Sequence, residues 1–310
     1  MKKIKFSIFH FVILFIAATS ISHATAQLII EPDAGREPIL KYIHDAKNID
    51  LILYGLTDQI FIQALVDAKK AGKTVNVMLE PLPYKQPEEN LQALRDLKEV
   101  YITLAKPNPK FQLTHQKTFI FDQQKALIMT FNLTKSTFKN QRNFAVLVDD
   151  PAIIKEIQQV YNCDVREDKS EVSHPSLIWS PDNSRQKILD LINYAEKEIK
   201  IYAQTVSDYQ IIGALAKAAK RNVKVEILTE GKNPTQKKWE FLRKSGVNIC
   251  FNHRYFIHAK VMLIDKKYVV MGSNNLTKPS FDKNRELSII LTDPNILKKI
   301  ASTFQQDWWC

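Results

Sequence analysis

Hydrophobic positions along the chain follow two periods, and the two periods alternate. Residues 38–47 carry Ile39, Leu40 and Ile43 at helical spacing. Residues 49–55 are strand-like. Residues 58–71 place Ile62, Leu65 and Val66 on one helical face and stop at Gly72. Residues 74–79 are again short and strand-like. The order returns later, with helical spacing over 186–196, a strand over 199–203, a helix over 208–220 and a strand over 223–228. Helical periods over 152–161 and 295–304 close the two series. Strands alternating with helices predict an α/β architecture.

The alternation is a duplication. Ile30-Glu31-Pro32-Asp33 aligns with Trp179-Ser180-Pro181-Asp182, and Arg36 with Arg185, at an offset of 149. Asn132-Leu133-Thr134 aligns with Asn275-Leu276-Thr277, and Asp150-Pro151 with Asp293-Pro294, at an offset of 143. The repeats occupy 27–166 and 179–310, with a polar linker over 167–178. Two such units predict an internal pseudo-dimer with related surfaces facing each other.

Ahead of the first repeat, Lys2, Lys3 and Lys5 precede an apolar stretch over 6–18 and a small-residue run ending at Ala26. This is the pattern of a secretory signal peptide, residues 1–26, and too short for a membrane span. A secreted or periplasmic mature chain is expected. The net charge is +11; removing the leader's three lysines leaves +8, which points to anionic partners. Glycine, at 7 residues in 310, excludes collagen-like and glycine-linker designs. An oxidising compartment permits one bridge among Cys163, Cys250 and Cys310. Cys250 lies in an apolar strand-like run and reads as a buried thiol, so Cys163–Cys310 is the expected pair.

The chemistry sits in a motif present in both repeats. His115-Gln116-Lys117 is followed four residues on by Asp122, then by Met129-Thr130-Phe131-Asn132. His258-Ala259-Lys260 is followed by Asp265, then by Gly272-Ser273-Asn274-Asn275. Composition alone predicts about 0.05 occurrences of His-x-Lys-x4-Asp in such a chain, and two stand at the offset that relates the repeats. On a strand, His115 and Lys117 share a face, as do His258 and Lys260. Asp122 and Asp265, seven residues after their histidines, point the other way and read as structural anchors.

These residues resemble the phospholipase D superfamily, whose signature is HxKxxxxDxxxxxxGSxN. The resemblance spans nearly the whole mature chain. It implies two α/β domains about a pseudo-dyad with one active site at their interface, and counts His115, Lys117, Asp122, His258, Lys260 and Asp265 as catalytic-motif residues. It implies phosphodiester cleavage without metal or cofactor through a phosphohistidine; no compact metal-ligand spacing is present in the sequence. Lys117 and Lys260 would neutralise the nonbridging oxygens. Asn132 and Asn275 would donate amide hydrogens to them, with Thr130 and Ser273 as further substrate-binding groups. One imidazole attacks phosphorus and the other protonates the leaving oxygen.

In the family a carboxylate often orients a motif histidine. Glu286 fills that place in repeat 2, and the 143 offset sets Asn143 against it in repeat 1. A carboxylate stabilises an imidazolium and an amide does not. His258 is therefore expected to pair with Glu286 as general acid, and His115 to face Asn143 as nucleophile. Repeat 1 departs from the family at Met129, where glycine is usual.

The substrate is set by loops. The segment before the second motif is basic and aromatic, with Lys232, Lys237, Lys238, Trp239, Phe241, Arg243 and Lys244. Amphipathic spacing reads Trp239, Phe241 and Leu242 as core positions of a helix with a solvated charged face. The resemblance ranks phospholipid headgroup hydrolysis first, with transient contact to an anionic membrane surface. A secreted nuclease acting on nucleic acid is the alternative, and a phosphatidyltransferase of the cardiolipin synthase kind the second.

Overall fold

A computed structural model describes residues 26–230 and 235–310. The expected leader lies outside the described residues except for Ala26, which opens the first strand, and Lys232 lies outside them too.

In the first repeat the order is β1 (Ala26–Glu31), α1 (Glu37–Asp45), β2 (Asn48–Leu53), α2 (Gln59–Lys70), β3 (Thr74–Leu79), α3 (Pro87–Glu99), β4 (Thr103–Ala105), β5 (Thr118–Phe121), β6 (Lys125–Met129), α4 (Thr137–Asn140), β7 (Gln141–Val148) and α5 (Pro151–Arg166). The second runs β8 (Leu177–Ser180), α6 (Ser184–Asn193), β9 (Glu198–Ala203), α7 (Tyr209–Lys220), β10 (Lys224–Glu230), α8 (Lys237–Lys244), β11 (Asn248–Asn252), β12 (Phe256–Ile257), β13 (Lys260–Ile264), β14 (Tyr268–Gly272), α9 (Lys278–Asp282), β15 (Glu286–Leu291) and α10 (Pro294–Asp307).

The first sheet has the order β4-β3-β2-β5-β6-β7-β1 and the second β11-β10-β9-β13-β14-β15-β8. Strand for strand these are one topology, as the duplicated sequence requires. In both, parallel β-α-β units occupy one side and an antiparallel meander the other. Repeated capping signals explain the shared helix starts. Asp58 and Asp208 cap α2 and α7, and each holds the repeat's paired arginine, Arg36 or Arg185. Asp150 and Asp293, before the Asp-Pro prolines, cap α5 and α10 through backbone N–H groups.

Three apolar cores result. One packs α1, α2 and α3 on the outer face of the first sheet and one packs α6, α7 and α8 on the second. The third lies between the sheets and mixes both repeats, with Phe144 and Ile154 from the first beside Tyr202, Met271 and Phe304 from the second. Trp239 and Leu242 of α8 are buried as their spacing required, whereas Phe241 is exposed.

The repeats also exchange strands. β12 pairs in parallel with β7, Phe256 opposite Gln141 and Ile257 opposite Arg142. Reciprocally, Thr114 bridges to Arg285. Two buried arginines secure the exchange. Arg142 donates to Asp307 of α10 at 2.7 and 3.0 Å, and to Asp33 at 2.6 Å. Arg285 donates to Asp164 of α5 at 2.7 Å and to Asp182 at 2.8 Å. Each arginine is thus held by the final helix of the other repeat.

The disulfide differs from expectation. Cys250 on β11 bonds Cys310, and Cys163 is a free, buried thiol. The tail after α10 passes beside β11, where Asn252 donates to the Asp307 carbonyl at 2.7 Å. Cys163 instead faces inward from α5. No described helix is long and apolar enough to cross a membrane.

The buried arginines yield a test. Asp307→Ala leaves Arg142 with Asp33, whose side chain is half exposed. The loss should be about 3 kcal/mol or more, read as a lower guanidinium midpoint. An unchanged midpoint would show that the Arg142–Asp307 contact does not hold the repeats together.

Candidate active site

The exchanged strands bring the two motifs to one cavity. The His115 N–H donates to the Arg285 carbonyl at 2.9 Å, and the His258 and Ala259 N–H groups to the Arg142 carbonyl at 3.3 and 3.0 Å. Each histidine is thereby set beside the residue that follows an arginine in the other repeat. His115 Nδ1 lies 2.8 Å from Glu286 Oε2, and His258 Nδ1 lies 3.1 Å from Asn143 Oδ1.

This reverses the expected pairing, in which Glu286 served His258 and Asn143 served His115. The offset that relates the repeats sets partners side by side within a repeat. Strand exchange delivers them across the dyad.

The cavity has a volume of ≈ 460 Å³ and is lined by both histidines, Asn132 and Asn275. With both Nδ1 atoms engaged, Nε2 of each ring is the atom left for chemistry. Asn132 and Asn275 each have a buried Oδ1 with no hydrogen-bond partner among the described residues. Asn132 packs closely against Gly55, where an added Cβ would sit 3.1 Å from its Cγ and press on the asparagine.

Lys117 is buried and donates to the His115 carbonyl at 2.6 Å, with its ammonium 5.2 Å from the centre of the Tyr54 ring. Lys260 donates to Gln204 Oε1 at 2.8 Å and contacts the His258 carbonyl and ring. Burial pushes Lys117 down to about 7, an effect the Glu286 charge partly offsets. Burial and the Lys117 charge hold Lys260 well below the usual lysine range, again with a partial offset from Glu286. Burial likewise takes His115 down to about 4 against the opposing pull of Glu286. His258 is held well below the usual histidine range, by burial and then by Lys260 and Lys117. Burial alone would raise the Glu286 carboxyl. The neighbouring His115, Lys117 and Ser280 outweigh it and hold Glu286 below the usual range. The free site at neutral pH therefore presents neutral imidazoles beside one carboxylate, with two buried lysines that share that single anion.

Other motif residues lie behind this layer. Thr130 and Ser273 are fully buried and, like Lys117 and Lys260, stand behind the residues that line the cavity; what sets them apart from the lysines is that their hydroxyls are taken up by protein groups, against the substrate-binding expectation. The Thr130 hydroxyl donates to Asn143 Oδ1 at 3.1 Å and accepts from the Phe144 N–H, steadying the His258 partner. The Ser273 hydroxyl bridges the N–H and carbonyl of Leu287.

Asp122 and Asp265 are remote from the cavity, so the motif membership that marked them as catalytic misplaces them. Their odd offset on the strand is the better guide. Asp122 accepts from the Lys47 and Asn48 N–H groups, and Asp265 from those of Glu196, Lys197 and Glu198. Each anchors the chain entering a central strand.

Met129 is buried in the outer core of the first repeat and does not reach the cavity. Gly272 must lack a side chain, because a Cβ there would meet the Leu287 carbonyl at 2.3 Å.

Several site residues carry no motif. Tyr54 stacks edge-on to His115 with ring centres 4.6 Å apart. Gln204 holds Lys260. Ser280 donates to Glu286 Oε1 at 2.7 Å, with Asn284 at 3.3 Å. Glu80 accepts from the Thr114 N–H at 2.9 Å, just ahead of His115. Tyr54 and Gln204 could have been sought just beyond the C-terminal ends of β2 and β9, where α/β sheets place their sites. Among the described residues no His, Cys, Asp and Glu side chains group so as to hold a metal ion.

Comparison with known proteins identifies the family. A family model described as "Cardiolipin synthase, PLD-like domain" matches residues 39–165 and again 188–308. The chain belongs to the phospholipase D superfamily. It is 30% identical over 174 residues to a phospholipase D of Rickettsia conorii, covering 55% of this chain and 84% of that protein. It is 23% identical over 277 residues to cardiolipin synthase B of Escherichia coli, covering 75% of this chain and 66% of the other. Among solved structures, a phosphatidylserine synthase of Haemophilus influenzae superimposes with a TM-score of 0.69 at 15% identity, over 91% of this chain and 85% of that one. A polyphosphate kinase of Porphyromonas gingivalis gives 0.73 at 16%, over 92% of this chain and about half of the kinase, 51%. At these identities the structures share the fold.

The buried lysine gives a prediction with a defined sign. Unfolded lysine binds a proton up to about pH 10, whereas folded Lys117 releases it near 7. Lys117→Met should abolish turnover and raise Tm by about 2 °C or more at pH 7. Because the wild type gains stability as pH rises from 7 toward 10, the gap should narrow over that window. A gap independent of pH would remove Lys117 as the titrating group.

Proposed function

We propose that the protein is a phospholipase D-type phosphodiesterase. It hydrolyses phospholipid headgroup phosphodiesters to phosphatidic acid through a phosphohistidine, with His115 as nucleophile and His258 as general acid. The observation that carries this reading is the convergence of two His-Asn pairs on one cavity, each histidine backed by a buried lysine, with the single carboxylate on His115.

The exchange of partners moves the basis for these roles. When His115 Nε2 attacks phosphorus, the ring becomes cationic in the covalent intermediate. Glu286 at Nδ1 stabilises that charge throughout the lifetime of the intermediate. Asn143 orients His258 without adding a negative charge, so its imidazolium gives up its proton readily.

The phosphodiester brings a second anion. Its nonbridging oxygens meet Lys117, Lys260 and the amides of Asn132 and Asn275, and its charge favours protonation of His258. The His115 Nε2–P bond forms as the bond from phosphorus to the headgroup oxygen breaks, and that oxygen takes the His258 proton. Neutral His258 then deprotonates water, which attacks phosphorus. The N–P bond breaks, phosphatidic acid leaves and His258 is protonated again.

The Rickettsia phospholipase D relative supports the hydrolytic reading. The cardiolipin synthase relative, matched over more of this chain, supports a second: transfer of the same intermediate to an alcohol in place of water.

The test uses purified protein with EDTA present. Vesicles of phosphatidylcholine, phosphatidylethanolamine or phosphatidylglycerol are supplied with and without ethanol, and DNA in a separate arm. Phosphatidic acid release by wild type and none by His115→Ala, His258→Ala is expected, and phosphatidylethanol would mark transfer. DNA cleavage without lipid turnover would replace this reading with a nuclease. Glu286→Gln should lower kcat by about 100-fold or more. In His258→Ala, phosphate should accumulate on His115, and phosphate trapped on residue 258 of a His115→Ala variant would invert the roles.

A further inference from the structure

The mouth of the cavity carries groups that the chemistry does not use. Between β3 and α3 the chain runs Pro81-Leu82-Pro83-Tyr84-Lys85. Leu82 is 64% exposed and Tyr84 77%, while Pro83 between them is buried. Pro83, Tyr84 and Lys85 line the cavity.

The backbone of this tip is fastened to the site. The Tyr84 N–H donates to the Tyr54 hydroxyl at 2.7 Å, and Tyr54 stacks on His115. The Leu82 N–H donates to Glu80, the carboxylate that also holds the Thr114 N–H. The tip therefore projects from the His115 wall with Leu82 exposed and the Tyr84 ring at the cavity edge, its hydroxyl accepting from Gln112 at 3.4 Å. Across the mouth Tyr209, 89% exposed, stands two residues beyond Ser207, which lines the cavity.

Cations accompany the apolar groups. Lys85 is exposed and close enough for its charge to bear on His258. Lys135 lies between the lining residues Thr134 and Ser136, and Lys283 beside the lining residue Asn284; both are exposed. None of the three lysine side chains has a hydrogen bond or ion pair among the described residues. The acids nearest in the chain are Glu88 and Glu89, in the first turn of α3, and Asp282, which is engaged by Arg185 and Lys278.

We propose that this rim docks the protein on an anionic phospholipid bilayer. Leu82 and Tyr84 enter the interface, and Lys85, Lys135 and Lys283 meet headgroup phosphates. This inference rests on the phospholipid reading of the same cavity and adds how the substrate reaches it. A headgroup enters the cavity while its acyl chains remain in the membrane.

Apolar side chains that insert, flanked by lysines that meet anionic headgroups, are the two components of interfacial binding. A single-stranded nucleic acid asks for something else, a row of ring faces along a groove. The most outward aliphatic group here, Leu82, has no face on which a base could stack.

The experiment separates docking from catalysis. Full-length mature protein is sedimented with vesicles of equal parts phosphatidylcholine and phosphatidylglycerol, and with phosphatidylcholine vesicles alone. Turnover of the vesicle lipid and of soluble bis(p-nitrophenyl) phosphate is followed in parallel. The pair Leu82→Ser, Lys135→Ala lies outside the catalytic groups. It should weaken binding to the anionic vesicles by at least about tenfold and lower vesicle turnover with it, leaving the soluble diester unaffected. Wild type should prefer the anionic vesicles and lose them as salt is raised.

Equal vesicle binding by wild type and variant would overturn the proposal even if phosphatidic acid is released. So would capture of single-stranded DNA in place of vesicles. Vesicle binding lost in the variant, with no lipid turnover by wild type, would uphold docking and remove the phospholipase reading alone.

Discussion

The site depends on one exchange of strands. The segment before each motif histidine hydrogen-bonds to the strand of the other repeat that carries that histidine's partner. Neither half-site is complete alone, because Glu286 belongs to one repeat and His115 to the other. The buried Arg142 and Arg285 sit one residue before Asn143 and Glu286, and their carboxylates come from the closing helices of the opposite repeats. A single register shift there would flip the partner to the wrong face of its strand. The fold therefore spends buried charge at the one place where register matters most, where losing a partner is severe.

A second constraint is electrostatic. Two lysines, two histidines and one carboxylate are buried together, and burial drives both lysines and both imidazoles toward neutrality. Such a cluster is costly without a second anion and is relieved by one. Under the proposed function binding and chemistry would be linked, because the charge of a docked phosphodiester would also favour the protons that the reaction uses. The destabilisation carried by the free protein is part of how the site is preorganised.

Much of the architecture was legible because it is local. Periodicity marked the strands and helices around β2, α2 and β3 and their counterparts, and helical periods over 152–161 and 295–304 marked α5 and α10. The duplication predicted two sheets of one topology. Helix α3 escaped because its segment, rich in Pro and Glu, reads as a loop until Ala93 and Leu97 are packed under it. The partners of the two histidines escaped for a deeper reason. An internal offset maps like onto like, and it says nothing of which copy a side chain crosses to. The disulfide failed similarly, since Cys250 and Cys310 meet only because α10 returns the tail to β11. Thr130 and Ser273 look like ligands in a motif, yet the strands that hold them turn their hydroxyls toward the backbone behind the site.

The duplication has diverged where the two halves must do different work. In the second repeat Glu286 stands opposite Ser180 across β15 and β8, and in the first Asn143 stands opposite Glu31 across β7 and β1. Each half therefore retains one acidic side chain near its histidine partner, on exchanged strands. The two acids are not equivalent. Glu286 is held ionised by His115, whereas burial raises Glu31 to about 7 and leaves one of its oxygens without a partner among the described residues. The second half thus supplies a full negative charge at an imidazole, and the first supplies an amide backed by a carboxyl near its neutral form. A symmetric site would stabilise positive charge equally on both rings. This one favours it on His115, which is the ring that would carry it longest under the proposed role of His115 as nucleophile.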